Sequence, residues 1–148
     1  MKNLFLFTVL LTILSACKKD AEPEMAKFDS EKFPQKWQLY SAQGRSIANS
    51  PILKGSDLNM QEFYILYADG TASKTREANR TAKTIQGKFR FTEVDSQKFL
   101  EVTYETRSEL VDNCYATPVE QLYVKSNSEI QGITAICDRA HLVYTRTE

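Results

Sequence analysis

The chain has five glycines, four prolines, one histidine and one tryptophan in 148 residues, and no surplus of either charge, with 19 basic and 19 acidic side chains. Each scarcity excludes something. So little glycine and proline rules out a collagen-like or low-complexity chain. Balanced charge leaves no electrostatic footprint for nucleic acid or for an anionic surface. One histidine leaves the base of any nucleophilic site to His141 or to a carboxylate with a shifted pKa, and neither sits in a Gly-x-Ser-x-Gly motif or beside a glycine-rich phosphate loop. The sequence therefore predicts no enzyme, and it implies no cofactor.

Long apolar runs are also missing. The apolar stretch from Leu4 to Leu14, broken by Thr8 and Thr12, is well short of the ~20 residues a spanning helix needs. Preceded by Lys2 and followed by Ser15-Ala16-Cys17, it has the parts of an export signal. Leu14-Ser15-Ala16-Cys17 resembles the lipobox of bacterial lipoproteins, which implies cleavage before Cys17 and acylation of its thiol. A signal cut elsewhere, or an anchor retained uncut, is the alternative. On the lipobox reading residues 1–16 are a signal peptide, 17–30 are the lipidated cysteine and a flexible tether, and 31–148 are one domain. Two or three acyl chains on Cys17 would attach the protein stably where one chain holds only marginally. The tether Lys18–Ser30 would reach roughly 20 Å as a flexible chain. Its first residues, Lys-Lys-Asp-Ala-Glu, resemble the surface-export signal of Bacteroidetes-type lipoproteins; a solvated tether facing the periplasm is the alternative. The expected location is the outer membrane of a Gram-negative bacterium, on its periplasmic or cell-surface face.

Aromatic and β-branched residues dominate the remainder. Trp37–Ala42, Glu62–Ala68, Thr71–Glu77, Ile85–Phe91, Leu100–Glu105, Val119–Lys125, Glu129–Cys137 and His141–Arg146 read as eight strands with no convincing crossover helix. A long polar connection spans Gln43–Asn59, Asp69-Gly70 signals a hairpin, and further turns fall at Ala78–Lys83 and Asp95–Gln97. A short helical turn over Glu24–Lys32 would be stopped by Pro34. Strands with one apolar and one wet face predict an all-β, eight-stranded antiparallel up-and-down barrel, with a β-sandwich as the alternative.

Several side chains are candidates for chemistry. With Cys17 acylated, Cys114 and Cys137 remain as an even pair in an oxidising compartment, which predicts a disulfide. The competing reading is a metal site of Cys114, Cys137, Asp138 and His141, but Cys137 and His141 stand about 13 Å apart on extended chain. Glu101 and Glu105 share a strand face at a similar separation, too far for a glycosidase pair. Lys74, Arg76, Arg80, Lys83, Lys88 and Arg90 form either a cationic patch or the wet face of a hairpin. Asn79-Arg80-Thr81 matches a glycosylation sequon that a bacterial lipoprotein would not ordinarily use.

Lys36-Trp37-x-Leu39, the aromatic strand ending in Asp69-Gly70-Thr71, and Gly87-x-Phe89 together resemble the lipocalin-like domains of Bacteroidetes-type lipoproteins, over Gln35–Arg146. Gln35 stands where lipocalins carry a glycine. The resemblance implies an arginine packed near Trp37, either Arg139 or Arg146. It also implies a small apolar or amphipathic ligand in the barrel mouth, for which Phe89, Phe91, Leu100, Val102 and Tyr104 are the candidate walls or, alternatively, a filled core. The other functional expectation is a cavity-free interaction module, an inhibitor or accessory subunit of a cell-surface complex, with an envelope protein as its partner.

Overall fold

The computed structural model describes residues 32–44, 50–137 and 139–148. Cys17, the export signal, the tether and Asp138 lie outside the described residues. Within them the strands are β1 (Gln35–Gln43), β2 (Ile52–Lys54), β3 (Gln61–Leu66), β4 (Thr71–Ala78), β5 (Thr81–Val94), β6 (Gln97–Tyr104), β7 (Val119–Ser126), β8 (Glu129–Gly132) and β9 (His141–Arg146). From β3 to β9 each strand pairs antiparallel with the next, and β1 pairs with both β3 and β9. β2 is a short flap on the last residues of β1. The other eight strands therefore close into an up-and-down antiparallel barrel, the fold the sequence predicts and the lipocalin-like description. A sandwich is excluded because β1 and β9 are bonded along six residue pairs.

Turn chemistry sets the register. The Asp69-Gly70 hairpin is present: Gly70 takes φ of 83°, and the Asp69 carboxylate accepts from the Thr71 amide at 2.9 Å and its hydroxyl at 2.6 Å. Asn79-Arg80 and Asp95-Ser96 differ in having positive φ at both positions and make two-residue turns, with Ala78 facing Thr81 and Val94 facing Gln97. The predicted turn Ala78–Lys83 thus shrinks to two residues, and β5 gains Thr81–Lys83. Two further expectations are corrected. The connection Gln43–Asn59 carries β2 and a 3-10 turn, Gly55–Asp57. The strand expected over Glu129–Cys137 ends at Gly132 and gives way to a 3-10 turn, Thr134–Cys137, because the chain leaves the ladder to bring Cys137 within 5.8 Å of Cys114, Cα to Cα.

The meander gives the barrel two unlike ends. The β3–β4, β5–β6 and β7–β8 turns and both termini of the described barrel lie at one end, the floor. The 44–60 connection, the β4–β5 turn and the 105–118 and 133–140 connections lie at the other, the mouth. Trp37, fully buried, stands on β1 near the floor and donates its indole N–H to Gln35 Oε1 at 3.3 Å. Gln35 thereby gives the departure from glycine a use as an acceptor. Arg146 faces Trp37 across the β1–β9 seam and ties the floor by donating to the Lys32 and Glu148 carbonyls at 3.1 and 2.9 Å. Arg139 instead pairs with Asp112. At Gly87 an added Cβ would lie 2.6 Å from the Thr103 carbonyl oxygen and 3.0 Å from the Tyr104 ring, so glycine lets β5 and β6 close there.

Candidate functional site

Inward positions follow the period of two. On the floor side they are apolar apart from Gln35: Leu66, Leu100, Leu122 and Ile130, each with at most 1% exposure, share one core cluster with Trp37. Toward the mouth the same faces turn charged. Glu62 shares a face with Tyr64 and Leu66, Lys74 with Ala72, and Glu120 with Leu122 and Val124. Lys74 Nζ lies 3.1 Å from Glu62 Oε1 and 2.7 Å from Glu120 Oε1, and it stands 5.0 Å over the Tyr64 ring. The Tyr144 hydroxyl donates to Glu62 at 2.5 Å and the Tyr104 hydroxyl to Glu120 at 2.9 Å. Arg76 Nε meets Glu62 Oε2 at 2.5 Å from the mouth side. Every charge in this layer has a partner, as burial requires.

The electrostatics are set mainly by burial. Desolvation pushes the Tyr64, Tyr104 and Tyr144 phenols well above their ordinary range, so the Tyr104 and Tyr144 hydroxyls keep their protons and serve as donors. Burial also pushes the Glu120 carboxyl up, against the pull of Lys74. An acid whose pKa is higher in the folded chain binds more protons there, so its contribution to stability falls as pH rises through the raised value. The difference in urea midpoint between the parent and Glu120→Gln is therefore expected to shrink as pH rises from about 4.5 toward 8. A difference that grows over that window would mean that Lys74 outweighs burial. Asp69, Glu109 and Glu129 are held below their ordinary range, Asp69 by Thr71 and Glu109 by Lys83, and their contributions are lost on the acid side of that window.

The connection 105–118 folds over the charged layer. Leu110 and Val111 are buried, the Asp112 amide donates to Glu120 Oε1 at 3.2 Å, and Arg76 donates to the Glu109 carbonyl at 3.4 Å. The Cys114–Cys137 disulfide and the Arg139–Asp112 pair at 2.9 Å fasten this plug to the connection before β9. Both sulfurs of the alternative metal set are thus in the disulfide, and His141 lies at the start of β9. Two hollows of about 440 and 350 Å³ open at the rim on either side of the β4–β5 turn, and a third of about 210 Å³ lies beside Cys114 and Thr134.

The expected wall residues are divided among these regions. Leu100 and Val102 belong to the filled middle of the barrel, and Tyr104 belongs to the charged layer. Phe89 and Phe91 are half-buried toward the floor, where the Phe89 ring lies 5.7 Å from Phe33, tilted, and 5.7 Å from Phe91, edge-on. The basic run does not form one wet face, because alternation sends Lys74 and Arg76 inward to Glu62 and Glu120, while Lys88 and Arg90 stay outside. Glu101 is also outside, bonded to Arg90 and to Gln121. Glu62, Glu120 and Tyr144 were not singled out from sequence. For the two glutamates the signal is a charge on an otherwise apolar period-two face, as in Glu62-x-Tyr64-x-Leu66 and Glu120-x-Leu122-x-Val124. No protein-family model, curated protein sequence or solved structure matches this chain.

Proposed function

We propose that this protein is an exported lipoprotein, held in the outer membrane of a Gram-negative bacterium by acyl chains on Cys17, whose barrel binds a small amphipathic molecule at its mouth. The role is binding and not catalysis. The observation that carries this reading is the charged layer of Glu62, Lys74, Arg76 and Glu120 under the mouth. Replacing buried ion pairs by apolar side chains is often neutral or stabilising, so a barrel that keeps charge at its interior mouth departs from the rule that best serves folding, and such departures mark functional sites. The topology supports the orientation as well: the chain enters β1 at the floor, so an anchor ahead of Lys32 leaves the mouth turned away from the attachment point. The floor face of Phe33, Phe89 and Phe91 would then lie nearest the membrane.

Native mass spectrometry of the chain isolated from its own envelope tests both parts. The expected mass begins at an acylated Cys17, is two hydrogens below the reduced sequence, and includes a small molecule released on denaturation. A chain that starts elsewhere removes the anchor, and a chain with no releasable mass removes the ligand. The filled middle of the barrel favours the second reading, an interaction module. A protein cross-linked through the mouth connections of an empty barrel would establish it.

A further inference from the structure

Arg76 and Lys83 face each other across β4 and β5 at the rim, on the inward side. Both are engaged by one residue of the plug: the Glu109 carboxylate pairs with Lys83, and the Glu109 carbonyl accepts from Arg76. The next residue, Leu110, is 2% exposed. An anionic group followed by a buried aliphatic group therefore occupies the mouth already, supplied by the chain itself. Charge counting makes the point sharper. Lys74, Arg76 and Lys83 are balanced by Glu62, Glu120 and Glu109, and withdrawing Glu109 leaves one positive charge in excess. A hollow of about 350 Å³ opens beside these groups, lined by Arg76, Lys83, Glu109 and Leu110. It meets the 440 Å³ hollow at Ala78, Asn79 and Thr81, and that second hollow is floored by Leu58 and Met60.

From this arrangement we infer that the rim is a site for an anion-headed amphiphile, and that Glu109-Leu110 is a built-in surrogate for it. The head group takes the place of the Glu109 carboxylate at Lys83 and Arg76. The aliphatic tail runs past Ala78 toward Leu58 and Met60, outside the filled middle of the barrel. This assignment rests on the mouth-binding reading and adds the charge of the head group and the residues that take it.

Calorimetric titration of the whole protein with dodecanoate, dodecanol and dodecyltrimethylammonium, each below its micelle concentration, tests it. Dodecanoate is expected to bind one per chain, with dodecanol at least about tenfold weaker for want of a charge-assisted bond and the cation giving no binding heat. Lys83→Gln is expected to weaken dodecanoate about fivefold and Glu109→Gln to tighten it several-fold, because the surrogate no longer competes. Both side chains are more than half exposed, so neither variant threatens the fold. Equal affinities for dodecanoate and dodecanol, unchanged in Lys83→Gln, overturn the anion seat while leaving a mouth ligand in place. No binding of any of the three overturns the site, and the native mass then decides separately whether the barrel carries a ligand of another kind.

Discussion

Lys74→Met is expected to lower the unfolding free energy by about 3–5 kcal/mol, the usual cost of removing one partner from a buried ion cluster. The lysine has no exposure and sits between two carboxylates, so its loss leaves Glu62 and Glu120 facing each other in a dry interior with Tyr104 and Tyr144 still donating to them. Glu120, already pushed up by burial, would lose the pull of Lys74 and be pushed further up. Urea unfolding at pH 7 measures the loss. The double variant Lys74→Met, Glu120→Gln, which keeps the Glu62–Arg76 pair, is expected to recover a large part of it, since equal numbers of positive and negative charges are then removed. A loss below about 1 kcal/mol in the single variant would mean that water enters and solvates the carboxylates.

The second large effect is at the disulfide. Cys114→Ser with Cys137→Ser opens a loop of 23 residues, for which chain entropy gives about 3 kcal/mol. Here the bond also holds the plug: without it, Arg139–Asp112, the Asp112 amide and the Glu109 contacts are left to fasten the 105–118 connection. The loss is therefore expected in two readouts, a lower urea midpoint and faster amide exchange at Val111 and Asp112. An unchanged exchange rate at those amides would show that the buried Leu110 and Val111 hold the plug unaided.

How much of this was legible differs between fold and site, for physical reasons. Strand faces such as Leu100-x-Val102-x-Tyr104 alternate cleanly, and the turn at Asp69-Gly70 carries its own chemistry, so an antiparallel meander could be read from the sequence, whereas its closure against the sandwich alternative rests on the β1–β9 seam. The turns at Asn79-Arg80 and Asp95-Ser96 take positive φ at two successive positions without glycine, so the sequence understates the length of the strands beside them. Cys137 lies in a 3-10 turn because a covalent partner fixes its position, and nothing in the local pattern announces that. The charged layer was hidden by a different fact. Lys74 and Arg76 look like solvated charges until Glu62 and Glu120, contributed by other strands, are placed opposite them. Pairing across 46 residues, as between Lys74 and Glu120, is a property of the closed sheet and not of any window of sequence.

The floor of the barrel decides how the molecule meets mechanical load. β1 begins at Gln35 and is bonded on one side to β3 and then β2, and on the other to β9. A pull on the chain ahead of Lys32 draws this strand along its own axis, between neighbours on both flanks. The bonds of both ladders are then sheared together and do not peel apart one by one. The strand nearest the point of traction is thus the one gripped on two sides, and drag on the domain would be borne by the whole seam before any part of the mouth is disturbed.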